Sequence, residues 1–234
     1  VQYEYYRGKL LSFDDEKSIQ VKECKLIDIL EQPVTDGPHA TPDLCSEGIP
    51  FISADAIQNN EIDFTRIRGY ISKEYNEQCN KKYKPRKNDI YMVKSGSTTG
   101  KVAMVNTDEV FNIWSPLAAL RVNNDNSPEY VFHMLQSDYI QQQVKKAASV
   151  GSQPNLSMRK LEQFSVKIPD LSVQKKIVEV LDHFDDVCKQ LQIALPTEAE
   201  ARQKQYEFYR DKLLTFESIE STIPRQTDRQ TDRQ

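Results

Sequence analysis

The sequence predicts an α+β protein, in which a mixed α/β domain is followed by a long antiparallel helical pair. Residues 18–169 alternate short apolar runs with turn-forming residues and include an amphipathic helical stretch. In residues 171–216, apolar side chains recur at the three-and-four spacing that lines one side of an α-helix. A block near the N-terminus also recurs at the end of this helical stretch. Together these observations predict a globular domain joined to a helical extension.

The helical stretch is predicted to form two helices that meet at Leu195-Pro196, because proline cannot continue a helix but suits the first turn of a new one. A helix over residues 172–194 would be roughly 35 Å long at about 1.5 Å per residue. A small domain cannot cover such a length, so we expect its apolar stripe to contact another helix in a coiled-coil-like spacer and dimerisation region. The predicted contact residues are Ile177, Val180, Leu181, Phe184, Cys188, Leu191, Tyr206, Tyr209 and Leu213.

The repeated block covers residues 2–13, QYEYYRGKLLSF, and residues 205–216, QYEFYRDKLLTF. Chance similarity is implausible over such an aromatic-rich stretch, and a long-period duplication is the natural interpretation. Residues 1–17 are therefore predicted to be a helical stub that repeats the end of the long helical region and packs beside the helical pair. The two copies differ only at Tyr5/Phe208, Gly8/Asp211 and Ser12/Thr215.

The composition is typical of a soluble cytoplasmic protein. Charged residues make up 28% of the chain and the mean hydropathy is −0.66. No apolar run approaches the roughly 20 residues of a membrane span, and the N-terminal sequence lacks a signal-peptide layout. The four scattered cysteines, Cys24, Cys45, Cys79 and Cys188, favour reduced structural thiols over metal ligands. The net charge of −4 argues weakly against nucleic-acid binding, although the distribution of charge matters more than its total.

Several short strands and helices are predicted before residue 169. Residues 36–42 are rich in turn formers and should form a loop. Residues 128–146 have helical periodicity, and Ser157 is a predicted cap of a short helix that ends at residue 164. At the other end of the chain, residues 221–234 are predicted to be disordered, and they end in two copies of Thr-Asp-Arg-Gln, at 227–230 and 231–234. Apolar runs predict strands at 48–53, 67–72, 89–94, 102–105, 111–122 and 164–168, and a strand or short helix at 21–30.

The densest basic run of the chain is Lys81-Lys82-Tyr83-Lys84-Pro85-Arg86-Lys87. Its charges and its proline predict an exposed loop. Two interpretations remain open at this point. The run is either a solvated surface patch or a set of phosphate contacts, in which lysine and arginine release counterions from a nucleic acid.

Residues 95–101, SGSTTGK, superficially look like a phosphate-binding P-loop between two apolar strands. Three residues rather than four separate the glycines, and Val102 stands where that motif requires serine or threonine. A strand rather than a helix is predicted to follow, so no helix N-terminus would face a phosphate. The sequence therefore predicts a glycine-hinged hairpin loop, whose hydroxyls and lysine can still reach a base edge or a backbone phosphate.

Catalytic motifs are almost absent from the sequence. His39, His133 and His183 are far apart, and none has a partner at metal-ligand spacing. There is no GxSxG elbow, no GxGxxG with an acidic follower, and no Glu-x-Lys placed for a metal-dependent nuclease. His39 is the only histidine for which we consider a functional role, and a structural hydrogen bond is the favoured interpretation. A binding protein without a metal or cofactor is the best prediction.

A set of short motifs, taken in order and spacing, resembles the specificity subunit of type I DNA restriction-modification systems, at half length. The resemblance extends to about residue 220. Pro38 and Asn88 depart from the pattern, in which threonine and glycine are usual. The motifs are Asp36-Gly37, Thr41-Pro42, Gly48-Ile-Pro-Phe-Ile-Ser53, Tyr70-Ile71-Ser72, Pro85, Asp89-Ile90, Ser95-Gly96, Gly100, Gly151, Asn155-Leu156, Ile168-Pro169, Gln174-Lys-Lys-Ile-Val178, Leu181-Asp182 and the repeated Tyr-Glu-Tyr/Phe-Tyr-Arg block.

The resemblance implies a protein that reads DNA but does no chemistry. In that family, each of two target recognition domains reads one half of a bipartite DNA sequence, and antiparallel helices act as a ruler between them. The subunit holds two methyltransferase subunits, and restriction subunits join to make the nuclease. By this resemblance, residues 18–169 form one target recognition domain. Residues 170–220 form the helical conserved region for spacing, dimerisation and methyltransferase docking.

One recognition domain and one helical region leave two alternatives, a fragment or a natural half-subunit. In both cases we expect the apolar stripe to join two copies around a two-fold axis. Such a homodimer would read a symmetric, interrupted site on double-stranded DNA.

The residues that would contact DNA are predicted from their chemistry. Lysine and arginine set the register on the phosphate backbone, while polar side chains on loops read base edges. Asparagine and glutamine favour adenine, and lysine favours guanine. The predicted phosphate contacts are Lys81, Lys82, Lys84 and Arg86, and the candidates for base edges are Ser95, Ser97, Thr98, Lys101, Ser152, Gln153 and Asn155.

Two rival functional classes remain open from the sequence. A helical protein-interaction scaffold without direct DNA binding is consistent with the acidic net charge, and it predicts no gel shift on any DNA. A nuclease or methyltransferase with an unfamiliar site predicts activity from this chain alone.

Overall fold

The computed structural model describes residues 2–13, 19–149 and 153–214. Its short strands follow a first helix and precede a long final helix. The helices are α1 (Gln2–Ser12), α2 (Lys73–Asn80), α3 (Pro128–Leu135), α4 (Asp138–Ala147), α5 (Met158–Glu162) and α6 (Leu171–Leu214). The strands are β1 (Val21–Lys25), β2 (Thr35–Asp36), β3 (Ile49–Ile52), β4 (Ile57–Gln58), β5 (Glu61–Ile62), β6 (Gly69–Ile71), β7 (Ile90–Val93), β8 (Val102–Met104), β9 (Asn112–Ile113), β10 (Leu117–Leu120) and β11 (Ser165–Pro169). Single 3₁₀ turns occur at Leu26–Ile29, Ala54–Ala56 and Phe64–Arg66.

The largest sheet has the strand order β2-β10-β7-β8, and all of its pairings are antiparallel. A second sheet has the order β6-β3-β9, in which β3 and β9 are parallel. Strands β1 and β11 pair with each other, so the beginning and the end of the domain lie side by side. Strands β4 and β5 form a small antiparallel pair.

The four-stranded sheet has an apolar core on each of its faces. Successive side chains of a strand point to opposite faces. Ile90 and Met92 of β7 accordingly belong to a first core with the helices, while Tyr91 and Val93 belong to a second core with the β3 and β9 region. All four side chains are fully buried. This double coverage explains why β7 is an uninterrupted apolar run rather than an alternating one.

Serine side chains cap the N-termini of four helices. Ser72, Ser127, Ser137 and Ser157 each accept a hydrogen bond from the backbone N–H three residues later, which satisfies a donor that the helix leaves unpaired. The cap at Ser157 is as predicted.

The single helix predicted over residues 128–146 is wrong, because the structure has α3 and α4 there. Ser137 has an extended conformation, and its hydroxyl also donates to the carbonyl of Met134 at 2.7 Å. A serine that serves the end of one helix and the start of the next competes with the continuous helix. The predicted apolar face is retained across the break, since Tyr130 and Ile140 are both buried.

The first helix packs on the domain through its C-terminal half, near α4. Leu11 is buried in the first core, the guanidinium of Arg7 donates to Gln136 Oε1 at 3.0 Å, and Lys167 Nζ donates to the carbonyl of Ser12 at 2.7 Å. These contacts differ from the predicted packing beside a helical pair. The second copy of the repeated block is also helical as far as Leu214, where the described residues end.

A single helix, α6, replaces the two helices predicted on either side of Leu195-Pro196. Proline removes one hydrogen-bond donor from a helix interior, and here the residues on both sides remain helical. The chain divides into two compact units, one ending at Phe184 and one beginning at Asp185. Along the part of the chain that the structure describes, no helix is both long and apolar enough to cross a membrane.

Candidate nucleic-acid interface

The two polar loops predicted to read bases are joined in the structure. Ser95 pairs with Asn155 in an isolated antiparallel bridge, and the backbone N–H of Gly96 donates to the carbonyl of Pro154 at 3.0 Å. Thr99 adds to the link, because its hydroxyl, which donates to the Gly96 carbonyl at 2.7 Å within the hairpin, also lies 3.3 Å from the carbonyl of Pro154 in the other loop. Loop residues far apart in sequence therefore form one polar surface. Of the predicted members, Ser97, Lys101, Gln153 and Asn155 are exposed, Ser95 and Thr98 are half-buried, and Ser152 lies outside the described residues.

Residues 94–101 form the connection of an antiparallel hairpin between β7 and β8, as predicted. Two glycines shape it with positive backbone angles, φ 104° at Gly96 and 98° at Gly100, a region that glycine enters without steric cost. A Cβ at Gly100 would lie 2.8 Å from Gln141 Oε1 of α4. Gln141 also donates to the Gly100 carbonyl at 3.0 Å, which fixes the hairpin to that helix.

The basic run is an exposed loop with one buried anchor. The four predicted phosphate contacts, Lys81, Lys82, Lys84 and Arg86, are exposed. Tyr83 between them is buried in the second core, where its hydroxyl donates to Asp89 Oδ2 at 2.6 Å and lies 3.1 Å from the hydroxyl of Tyr91. Burial raises the pKa of both phenols, so both remain hydrogen-bond donors at neutral pH. Tyr83 therefore orients the cationic side chains on either side of it towards solvent.

A second clamp on the basic run comes from Arg121. Its guanidinium donates to both carboxylate oxygens of Asp89 at 2.7 Å and to the carbonyl of Lys84 at 2.9 Å. The backbone N–H of Arg86 adds a bond to Asp89 Oδ2 at 2.9 Å. Hydrogen bonding to Asp89 raises the pKa of Arg121, and the bidentate geometry is the strong form of this pair. The middle of the loop is thus held by a fully bonded, buried carboxylate.

A different buried carboxylate holds the start of the basic run. Asp36 at the end of β2 has no exposed side-chain surface. Lys82 Nζ lies 2.5 Å from its Oδ1, while Lys94 Nζ and His39 Nε2 lie 3.2 and 3.3 Å from its Oδ2. Lys82 belongs to the basic run and Lys94 precedes the hairpin. Asp36 therefore brings together the two surfaces that were predicted separately to contact phosphates and bases.

Three further residues beside this surface were not predicted. Lys94 connects its parts, since its N–H donates to Pro116 at 2.8 Å and its carbonyl accepts from Leu156 at 2.7 Å. Two residues before Pro116, the ring of Trp114 is covered by the guanidinium of Arg68, which lies 4.5 Å from its centroid. Trp114 is the only tryptophan in the sequence, and this was the one feature of the sequence that could have drawn attention to it.

The Asp36 loop lies directly against the backbone of β9. A Cβ on Gly37 would sit 1.9 Å from the carbonyl oxygen of Ile113, so only glycine fits there. A cavity of about 180 Å³ adjoins the loop and is lined by Asp36, Tyr75, Gln78, Lys82 and Asn112, among others. His39 pairs with Asp36, whereas His133 is buried against Asp182 of α6 at 2.9 Å. Over the described ranges, no cluster of histidine, cysteine and carboxylate groups could hold a metal ion.

The predicted dimerisation residues divide into different environments. Ile177 and Leu181 are buried in the first core of the domain, so the assignment of these two to a dimer contact is corrected. Helical periodicity fixes a stripe but not its neighbour, and here the domain itself covers this part. Val180 exposes 42% and Tyr206 62% of its surface, and Phe184 is half-buried. The side chains of Cys188, Leu191, Tyr209 and Leu213 lie outside the described part of the chain.

Comparison with known proteins identifies the same family as the motifs. The chain is 30% identical over 226 residues to the specificity subunit of the type I restriction enzyme EcoR124I/EcoR124II of Escherichia coli, covering 94% of this chain and 54% of that subunit. It is 28% identical over 228 residues to a putative type I restriction enzyme specificity subunit of Haemophilus influenzae, covering 92% and 52%. The chain thus spans about half the length of these relatives. Both are specificity subunits, in agreement with the predicted non-enzyme class.

Solved structures of the same kind share the fold. A chain from a study of assembly and conformational transition of the type I R-M system has a TM-score of 0.63 at 17% identity, covering 88% of this chain and 48% of that one. The type I restriction-modification S subunit from M. genitalium has a TM-score of 0.57 at 17% identity, covering 86% and 51%. The model of the type I restriction modification DNA specificity domain matches residues 20–201, and the chain belongs to this family.

Proposed function

We propose that this chain is the DNA sequence-recognition subunit of a type I restriction-modification complex and that one recognition domain binds one half of a bipartite target. The observation that carries the proposal is the arrangement around Asp36, which joins the basic run to the polar hairpin. Positive groups for phosphates and polar groups for base edges then face the same ligand. Such a division of labour is general in protein–DNA complexes.

The basic run supplies the sequence-independent part of binding. Lys81, Lys82, Lys84 and Arg86 are exposed on a loop whose backbone is fixed by Arg121. A fixed loop loses little conformational freedom on binding, which favours contact with a regular phosphate backbone.

The joined loops supply the sequence-dependent part. Ser97, Lys101, Gln153 and Asn155 carry exposed hydrogen-bonding groups on the surface that the two joined loops form. Ser95, Thr98 and Ser152 remain proposed members of the same surface. Lysine would favour guanine and the two amides would favour adenine in the major groove.

The helical region would pair antiparallel with a second copy and dock methyltransferase subunits, which restriction subunits then join. Val180 and Val187 are exposed and, with Phe184, follow the three-and-four spacing of a coiled-coil seam. A two-fold dimer built this way would carry two identical recognition domains and would read a symmetric, interrupted site.

The alternative function is a helical protein-interaction scaffold without direct DNA binding. The exposed valines of α6 and the net charge of −4 favour it. It differs from the first proposal in predicting no DNA binding at all.

The decisive experiment combines binding with genome methylation. Full-length chain, alone and with the DNA methyltransferase subunit of its own system, is tested by gel shift on genomic fragments, and methylated positions in the source genome are sequenced. We expect a shift with the methyltransferase present and methylation at a split motif whose halves are related by two-fold symmetry. No shift under either condition would reject the recognition function, and an asymmetric motif would reject the homodimer.

A further inference from the structure

Asp36 is shared by two lysines of very different exposure. The Lys82 ammonium contacts Oδ1 and the Lys94 ammonium contacts Oδ2 of a carboxylate with 0% exposed side chain. Lys94 exposes only 11% of its side chain, whereas Lys82 exposes 53% and lies in the basic run. One lysine is therefore an interior partner of the carboxylate and the other faces solvent.

The charges of this cluster do not cancel. Asp36 and Lys94 together carry no net charge, so the positive charge of Lys82 at the surface is not compensated by the carboxylate. Without Lys94, the same carboxylate would neutralise Lys82, and this end of the basic run would lose its attraction for an anion. The third neighbour, His39, exposes 74% of its side chain and adds charge only when it is protonated.

Burial of the Lys94 side chain, together with its fixed backbone, keeps its ammonium near the carboxylate. Its N–H and C=O are both bonded, to Pro116 at 2.8 Å and to Leu156 at 2.7 Å, at the end of a fully buried strand. Lys82 sits just beyond the end of α2 on an exposed loop, where its four-carbon side chain can extend away from Asp36. The two lysines are thus positioned for different tasks.

We propose that Lys94 is a positioning residue for DNA binding, which neutralises Asp36 and thereby leaves Lys82 charged for a backbone phosphate. Lys94 itself does not touch the DNA. The inference rests on the proposed function and adds to it a residue that acts through another. It predicts that removing a nearly buried lysine weakens DNA binding, and that removing its buried carboxylate partner as well restores it.

The test is a double-variant cycle on the full chain with a fluorescein-labelled DNA duplex of mixed sequence. Affinity is measured by anisotropy between about 50 and 200 mM salt, at about pH 8, where ordinary histidine is neutral. Lys94→Met should bind roughly eightfold more weakly near 0.1 M salt, with a salt slope lower by about 0.9, the value for one lost phosphate contact. The Asp36→Asn/Lys94→Met variant should regain the wild-type affinity and slope.

Two further variants make each outcome decisive. Lys22→Met removes an exposed lysine of β1 outside this cluster and should leave the slope within error of the wild type. If Lys94→Met does not fold, as judged by thermal unfolding, the double variant still tests the proposal, because it contains no unpaired buried charge. Adding Lys82→Met to the double variant should then lower the slope by about 0.9.

The possible failures are distinguishable. A wild-type chain that does not bind the duplex, with or without its methyltransferase, contradicts the proposed function. A wild-type chain that binds, together with an unchanged Lys94→Met or a double variant as weak as Lys94→Met, overturns only the role of Lys94. A double variant unaffected by loss of Lys82 also overturns it.

Discussion

Two buried carboxylates hold the basic run, and they do so with different partners. Asp89 receives two bonds from the guanidinium of Arg121, one from the hydroxyl of Tyr83 and one from the backbone of Arg86. Asp36 faces the flexible side chains of two lysines and a histidine instead. Both carboxylates are almost completely buried, so the difference lies in what surrounds them.

The two carboxylates have different roles: one fixes the shape of the basic run and the other sets the charge of its surface. Arginine offers a rigid fork that matches a carboxylate, whereas lysine is a mobile point charge on a long side chain. The Asp89 network is closed and buried and therefore fixes the shape of the loop. The Asp36 cluster is open on one side and leaves a lysine facing solvent, and it sets the charge of the surface. Four predictions test this contrast, in order of decreasing effect on stability.

The largest effect is expected for Arg121→Ala. The substitution leaves Asp89 buried without its charged partner, and breaking one side of such a pair costs about 3–5 kcal/mol. Urea unfolding would measure the loss. The matched control is Arg66→Ala, whose exposed ion pair with Asp63 spans 3.4 Å and should contribute little to stability, because solvent screens it. Equal losses for the two variants would contradict a structural role for the Asp89 network.

Alkaline pH should destabilise the protein through the same network. Burial raises the pKa of Tyr83 and of Tyr91 above the ordinary value. Above about pH 10 the unfolded chain releases these protons while the folded chain retains them, so stability present below that pH falls by about 1.4 kcal/mol per pH unit for each tyrosine.

The measurement is the unfolding free energy between neutral pH and pH about 11. Tyr91→Phe should flatten the alkaline decline, whereas Tyr139→Phe, at an exposed position on α4, serves as the control. An identical decline of the unfolding free energy in the Tyr91→Phe variant and the wild type would show that the raised pKa of Tyr91 does not cause the loss of stability at alkaline pH.

A smaller loss is expected for Tyr83→Phe. The ring still fills the second core, but Asp89 loses one donor, which costs about 0.5–1.5 kcal/mol for a hydrogen bond, or more to a charged group. Thermal unfolding of the two proteins in parallel measures this. A loss as large as that of Arg121→Ala would mean that the tyrosine holds the loop as firmly as the arginine does.

The smallest effect on stability is expected for Lys81→Ala/Lys84→Ala. Exposed substitutions of this kind change the unfolding free energy by less than about 0.5 kcal/mol each. DNA binding should nevertheless weaken on all sequences, and the salt slope should fall by about 1 for each lysine that touches a phosphate. Unchanged affinity and slope would show that these lysines are solvated surface charges.

Local sequence patterns were sufficient for much of the fold. The apolar run of β7, the glycines at 96 and 100 and the serine at 157 predicted a strand, a hairpin loop and a helix cap at the observed places. The break at Ser137 was missed because its polar side chain lies within a helical periodicity that continues on both sides. At Pro196 the error was the reverse: the sequence predicted that one helix ends there, and the structure has a helix that continues through it.

The sequence by itself determined the family, through the order and spacing of its motifs, and the exposed basic run, through its charges. Only the tertiary structure decided which groups meet. Lys82 lies 46 residues from Asp36, and Arg121 lies 32 residues from Asp89. Such pairs depend on the path of the whole chain, whereas strands, turns and caps depend on neighbouring residues. For the same reason, helical periodicity identified Ile177 and Val180 as one stripe, and the fold buried the first and exposed the second.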